Sequence, residues 1–114
     1  MSSLPEPPYY AVIFPNQRTT VQDAEYAAMA DDMVALAKDQ PGYLGIDSAR
    51  GADSFGITCS YWKTEESILE WKQNVEHLIA QRNGIENWYE SYDVLIAKVE
   101  RNYSGPAGRS GGDG

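Results

Sequence analysis

The chain has 114 residues, 42% of them hydrophobic, which suffices for one domain with an ordinary core that needs no disulfide or metal to fold. Its 17 acidic and 9 basic residues give a formal net charge of −8, which argues against nucleic acid and membrane surfaces as partners. A single cysteine excludes an internal disulfide and is typical of the reducing cytoplasm, where we expect the protein to be located.

The first part of the chain predicts an irregular lead, a strand and a helix. Residues 1–8 are rich in serine and proline and have neither the basic head nor the apolar run of a signal peptide. Tyr9–Phe14 follows as a strand that is apolar on both faces, and we expect Pro15 to end it and residues 16–19 to form a loop. Apolar residues at helical spacing between Tyr26 and Ala37 then predict the first helix.

The middle of the chain predicts a hairpin that leads into a second helix. Tyr43–Arg50 and Phe55–Trp62 read as strands joined by a short turn. Thr64 is a good N-cap, and the apolar period changes from two to that of a helix after it, through Ile68 and Trp71.

The last part predicts one strand and a tail. Tyr92–Tyr103 reads as a strand with an apolar centre, and residues 104–114 read as a flexible tail rich in glycine and serine. The globular domain is therefore expected to span residues 9–103.

The element order β-α-β-β-α-β predicts an α+β, ferredoxin-like fold, with an antiparallel sheet and both helices on one face. The first and last strands carry large apolar residues on both faces, so the second face of the sheet also needs a cover. We expect a second copy of the chain to supply it, which predicts a homodimer formed through the open sheet face.

The sequence resembles the antibiotic-biosynthesis-monooxygenase (ABM) superfamily of dimeric α/β barrels. The resemblance covers roughly residues 9–103 and rests on the element order and on the following motifs: Gln40–Gly45, Ser60–Glu66, Trp71, Glu76-His77, Gln81, Gly84 and Trp88-Tyr89. It implies a site in each subunit between the helices and the sheet. It also implies either a cofactor-free oxygenase for aromatic polyketide or quinol substrates, or a haem-degrading enzyme.

The functional expectation is the cofactor-free monooxygenase that the resemblance implies, and tryptophan, tyrosine and the only histidine surround one predicted helix. His77 is the expected base, since an imidazole titrates near neutral pH, and Glu76 is the alternative base or its orienting partner. The expected substrate-binding side chains are aromatic walls, hydrogen-bond donors and one amide: Trp62, Trp71, Trp88, Tyr61, Tyr89 and Gln81.

Structural roles compete with each of these assignments. On an unbroken helix His77 lies nearly opposite the apolar stripe and faces water, and Glu76 is then a solvated or ion-paired carboxylate. Trp71 is then a core residue, Trp62 a dimer contact, and Trp88 with Tyr89 an anchor for the loop before the last strand. In that case the protein is a non-catalytic dimeric module that binds a small hydrophobic molecule or another protein.

The haem-degrading branch meets one of its three requirements in this sequence. Trp71 matches the tryptophan, but the first predicted strand contains no asparagine, and Gln81 stands in the place of the iron-binding histidine. A metal site is not expected either, because one histidine among scattered carboxylates has no ligand spacing. Cys59 is expected to be a small buried hydrophobe.

Overall fold

The computed structural model describes residues 4–19, 23–82 and 89–106. These residues form two helices and one antiparallel sheet of five strands. In chain order the elements are β1 (Tyr9–Arg18), α1 (Asp23–Asp39), β2 (Tyr43–Arg50), β3 (Phe55–Trp62), α2 (Glu65–Arg82), β4 (Tyr89–Tyr92) and β5 (Leu95–Val99).

The predicted ferredoxin-like α+β fold is confirmed. The sheet has the order β2-β3-β1, and β4 and β5 both pair with the other edge of β1. Ala37 of α1 and Ile68 of α2 share a buried cluster with Val12 and Trp62, so both helices cover the same face, called the helix side below. Trp62 is 0% exposed, and truncating such a buried indole to alanine costs about 3–5 kcal/mol.

The prediction that Pro15 ends the first strand is wrong, because β1 continues to Arg18. β5 pairs with β1 only as far as Ile13, and the pairing with β4 begins at Asn16. Pro15 therefore faces the gap between β4 and β5, where its carbonyl oxygen accepts a hydrogen bond from the Asp93 N–H at 3.0 Å. The missing N–H of the proline costs no ladder hydrogen bond there, so the strand continues through it.

The prediction of one last strand over Tyr92–Tyr103 is also wrong in its bounds. The strand is divided into β4 and β5, and the second part ends at Val99. The segment that follows β5 is bound to the beginning of the chain by two hydrogen bonds. Asn102 Nδ2 donates to the Tyr9 hydroxyl at 2.8 Å and to the Pro5 carbonyl at 2.9 Å.

The face of the sheet away from the helices, called the open face below, is apolar as predicted. Register pairs such as Ile13 with Cys59 lie on it, since Val12 and Ser60 one position away lie on the helix side. Cys59 is only partly buried there. Three large side chains of this face are 42–50% exposed: Phe55, Ile57 and Leu95. Neither helix within the described ranges combines the length and the hydropathy needed to cross a membrane.

Candidate functional site

Three aromatic side chains lie together at one end of the helix side. The Trp62 and Trp71 ring centroids are 5.1 Å apart, and the Tyr43 ring meets Trp62 edge-on at 5.7 Å. We call these three residues the aromatic wall. The alternative role of Trp62 as a dimer contact is wrong, because its side chain is fully buried under the helices.

The two indole N–H groups of the aromatic wall differ in their hydrogen bonding. Trp62 Nε1 donates to Ser60 Oγ at 2.9 Å. Trp71 Nε1 is buried and has no hydrogen-bond partner in the described part of the chain. A buried donor without an acceptor costs about 1–3 kcal/mol, so an oxygen atom of a ligand at this point would recover that free energy.

A polar cluster occupies the other end of the helix side, six residues along β1 from Tyr10 and thus about 20 Å away. Asn16 and Arg18 are buried there, at 2% and 5% exposure. Arg50 Nη2 donates to Asn16 Oδ1 at 2.8 Å and to the Tyr26 hydroxyl at 3.2 Å. The Arg18 guanidinium stacks on the Tyr26 ring, 3.7 Å from its centroid. We call Asn16, Arg18, Tyr26 and Arg50 the arginine cluster.

Sequence reasoning missed the arginine cluster because it assigned residues 16–19 to a loop. Asn16 and Arg18 continue the alternation that places Val12 and Phe14 on the helix side, and this period of two was the available signal. Arg50 is the third member of the cluster that lies on a strand. It comes close to Asn16 and Arg18 only because of the register of β3 between β1 and β2.

Tyr89 lies beside the arginine cluster and not beside the aromatic wall. Its hydroxyl donates to the Tyr26 hydroxyl at 3.5 Å, and its ring meets the Phe14 and Tyr26 rings edge-on at 5.6 and 5.8 Å. Burial, and then the hydrogen bond to Tyr26, raise the pKa of Tyr89 far above its usual range, although the two arginines act in the opposite direction. Tyr89 therefore stays protonated and remains a hydrogen-bond donor.

Tyr61 lies on the open face and joins neither group. Its hydroxyl donates to Asp47 Oδ2 at 3.2 Å, and its ring meets the Tyr9 ring edge-on at 6.1 Å. Burial and then the hydrogen bond to Asp47 raise the pKa of Tyr61 to about 12. Its predicted part in substrate binding thus requires a ligand that reaches the open face.

His77 and Glu76 are both exposed on α2. Glu76 Oε2 lies 3.3 Å from Lys72 Nζ, one helical turn away, with both side chains more than half exposed. Exposed pairs of this kind contribute about 0–1 kcal/mol. The two predicted members of an acid–base pair are therefore not enclosed with the aromatic wall. The Gln81 side chain and Trp88 lie outside the described residues.

A groove of about 370 Å³ runs between α2 and β5. Its floor is apolar, and charged side chains of the first turns of α2 form its rim; the lining residues are Glu65, Glu66, Ile68, Leu69, Lys72 and Ile96. This volume matches a small ligand. Its lining contains none of the residues predicted for the site.

The fit to haem changes once β1 is seen to include Asn16, because the asparagine requirement on the first strand is then met alongside Trp71. The histidine requirement is not met. His77 is exposed, and the place of the iron ligand is taken by Gln81, whose amide is a poor ligand for iron. The residues therefore do not fit an imidazole-ligated haem. Among the described residues, no three histidine, cysteine or carboxylate side chains come together as a metal site.

Comparison with solved structures identifies the class of fold. SnoaB from Streptomyces nogalater, a cofactor-independent oxygenase, superposes on this chain with a TM-score of 0.66 at 12% identity. The superposition covers 84% of this chain and 97% of SnoaB. Rv0793 from Mycobacterium tuberculosis gives 0.69 at 14% identity over 84% of this chain and 99% of its own. A candidate antibiotic biosynthesis monooxygenase from Nitrosomonas europaea gives 0.66 at 16% identity, over 80% and 89%. The chain therefore shares the fold of these proteins.

The particular family follows from sequence similarity. No family profile matches the chain. The uncharacterised protein YqjZ of Bacillus subtilis is 50% identical over 101 residues, which cover 89% of this chain and 88% of YqjZ. The chain belongs to the family of YqjZ.

Proposed function

We propose that the protein is a cofactor-independent monooxygenase that oxidises a small hydroxyaromatic, quinol or polyketide-like substrate with O₂. The observation that carries the proposal is the buried Trp71 Nε1–H, which has no acceptor among the described residues and lies against the Trp62 ring. A polar donor next to an aromatic surface suits an oxygen-bearing aromatic ring. The likeness of the fold to SnoaB, a cofactor-independent oxygenase, supports the same reading.

The reaction requires few catalytic groups from the protein. A hydroxyaromatic ring with an adjacent methylene loses a proton, and the resulting anion gives an electron to O₂. Recombination of the two radicals forms a C–O bond, and the hydroperoxide then loses water to leave a carbonyl. The methylene carbon gains one oxygen atom, its two hydrogens leave in water with the other oxygen, and no external electron donor is required. The protein must supply a pocket, a base and donors that hold the anion.

Within this proposal Trp71 contacts the substrate and donates to its oxygen, and the fully buried Trp62 packs against the Trp71 ring from the core. His77 and Glu76, the bases predicted from the sequence, are exposed on α2 and are not enclosed with the aromatic wall, so we do not assign the base role to either of them. A cytoplasmic location and action without a bound cofactor remain part of the proposal.

A homodimer formed through the open face is also part of the proposal. Both helices cover the other face, and Phe55, Ile57 and Leu95 leave a contiguous apolar surface between β3 and β5. An exposed apolar sheet face of this kind is typical of an interface, and a second copy offers the same self-complementary surface.

The test is oxygen uptake by protein freed of metal and flavin, across a panel of naphthoquinols, anthrones and hydroxylated polyketides. We expect at least one substrate to be consumed, with one ¹⁸O atom from ¹⁸O₂ in the product. The Trp71→Phe variant, which keeps the ring surface but loses the donor, should lower the rate about tenfold or more. The absence of uptake across the panel would count against oxygenase activity.

Ligand binding without chemistry is the second candidate function, and the groove between α2 and β5 favours it. The groove has an apolar floor formed by Ile68, Leu69 and Ile96, and its lining lacks His77. Ligand binding would be supported over catalysis if a hydrophobic fluorophore binds in the groove of the parent protein and no longer binds to the Ile96→Asp variant, while the parent shows no oxygen uptake.

A further inference from the structure

The guanidinium of Arg50 is held in one orientation by three acceptors on different parts of the fold. Nη1 donates to the Ser54 carbonyl at 2.7 Å, and Nη2 donates to Asn16 Oδ1 and the Tyr26 hydroxyl. Ser54 has a left-handed backbone with φ of 69°, and its carbonyl also accepts from the Arg18 N–H at 3.1 Å. A fixed guanidinium loses little conformational entropy when it takes a further partner.

The sheet leaves room for this guanidinium at Gly56. A Cβ atom at Gly56 would lie 2.8 Å from Arg50 Cζ, closer than such atoms approach in proteins. Arg50 nonetheless belongs to the exposed residues. The guanidinium thus lies over β3 at Gly56, and it belongs to a residue that is exposed to solvent.

Two of the five N–H groups of Arg50, one of them on Nε, have no acceptor within the described ranges, because the three bonds above use the others. All three acceptors are neutral, and no described carboxylate pairs with Arg50. The Arg18 guanidinium also approaches the Tyr26 ring, with its Cζ atom 3.7 Å from the ring centroid against 5.8 Å for Arg50 Cζ. In a chain with net charge −8, Arg50 is thus a positive charge with no carboxylate partner among the described residues.

A cluster of aromatic rings extends from Tyr26, whose hydroxyl accepts a hydrogen bond from Arg50. Tyr89 contacts Tyr26, and the Phe14, Tyr89 and Tyr92 rings lie within 5.5–5.8 Å of one another. Tyr92 is partly exposed, so the ring cluster is reachable from solvent. A cation with free donors beside rings of this kind is complementary to an aromatic ring that carries a negative oxygen.

We propose that the arginine cluster binds an aromatic anion, whose phenolate or carboxylate oxygen accepts from Arg50 while its ring packs against Tyr89 and Tyr92. Such binding does not depend on whether the protein consumes oxygen. A bound phenol would ionise more readily than in water, because the guanidinium stabilises the phenolate.

The test uses 4-nitrophenol, whose neutral and ionised forms have different absorption spectra, with 4-nitrobenzoate as the carboxylate probe and 4-nitroanisole as the neutral control. We expect 4-nitrophenolate to bind at least about tenfold more tightly than 4-nitrophenol, seen as a drop of about one unit in the pKa of the bound probe. Tighter binding of 4-nitrobenzoate than of 4-nitroanisole, without that drop, would assign the site to carboxylates. Equal affinity for charged and neutral probes would overturn the proposal.

Arg50→Gln should abolish the preference for the anion. Arg101→Gln is the matched control, because Arg101 is exposed beyond β5, and it should preserve that preference. If the preference survives in Arg50→Gln, the proposal is wrong. Should Arg50→Gln fail to fold, the Arg50 Nε–H resonance of the ¹⁵N-labelled parent decides. It should shift with 4-nitrophenolate and not with 4-nitroanisole, and an unchanged signal would overturn the proposal.

Discussion

Asn16 and Arg50 are 34 residues apart in the sequence and are joined by a hydrogen bond of 2.8 Å between Oδ1 and Nη2. The bond crosses β3, the strand between them, at the position of Gly56. It links the end of β1 to the end of β2 and fixes the geometry of the arginine cluster on the helix side of the sheet.

Asn16→Ala should lower the free energy of unfolding by about 1–3 kcal/mol, because it removes the acceptor of a charged donor at a site that is almost fully buried. Urea unfolding at a fixed protein concentration measures the change. Gln73→Ala on the exposed surface of α2 is the control and should change stability by less than about 0.5 kcal/mol. Equal effects of the two substitutions would show that the bond contributes little.

Ile57→Asp should prevent dimer formation, because it puts a charge in the middle of the proposed interface on the open face. Sedimentation velocity at micromolar concentration should give a dimer for the parent and a folded monomer for the variant. Leu69→Asp adds the same charge at an exposed apolar residue of α2 and should leave the dimer intact. A parent protein that sediments as a folded monomer would contradict the proposed interface.

Stability should fall as the pH rises from about 10 to about 12, partly because of Tyr61. Its pKa is raised to about 12 in the folded state against 10 when unfolded, so the folded protein holds this proton more tightly. The contribution is complete below pH 10 and is lost as the pH rises through 12. Urea midpoints of Tyr61→Phe should therefore decline less over this range than those of the parent. Tyr89, whose pKa is also raised, maintains part of the decline in both proteins. Parallel declines would refute the Tyr61 contribution.

His77→Ala should keep oxygen uptake within about threefold of the parent, because an exposed imidazole lies outside the dry surroundings that make a base effective. The comparison needs a substrate found in the panel described above, with rates taken at several pH values. A fall of 100-fold or more would restore His77 as the base.

The sequence predicted the element order as far as α2 and the apolar second face, because both depend on local periodicity. The change from alternation to helical spacing after Thr64, for example, needs no knowledge of tertiary structure. The continuation of β1 through Pro15 was not predictable in this way, since it depends on a gap in the neighbouring strand pairing at Asp93. The arginine cluster was missed because ending β1 at Pro15 left Asn16 and Arg18 outside the strand, and because the contact of Asn16 with Arg50 is set by the register of three strands.

The residues predicted for the site also differ in whether the local sequence determines their position. Trp62 and Trp71 were predicted as neighbours of a common pocket, and their rings do lie in contact. Tyr61 and Tyr89 were grouped with them by residue type alone. Tyr61 faces the open side of the sheet, and Tyr89 lies beside the arginine cluster. Their places depend on which face of its strand each residue occupies and on the register of the strands.

The most direct measurement is the indole N–H signal of Trp71 in a ¹H–¹⁵N spectrum, assigned with Trp71→Phe and followed as 2-naphthol is added. If the helix side holds an oxygen-bearing aromatic ligand at the aromatic wall, this signal moves downfield on gaining an acceptor. The Trp62 signal, already bonded to Ser60, should move less. A Trp71 signal that stays in place while 2-naphthol binds would contradict the central claim.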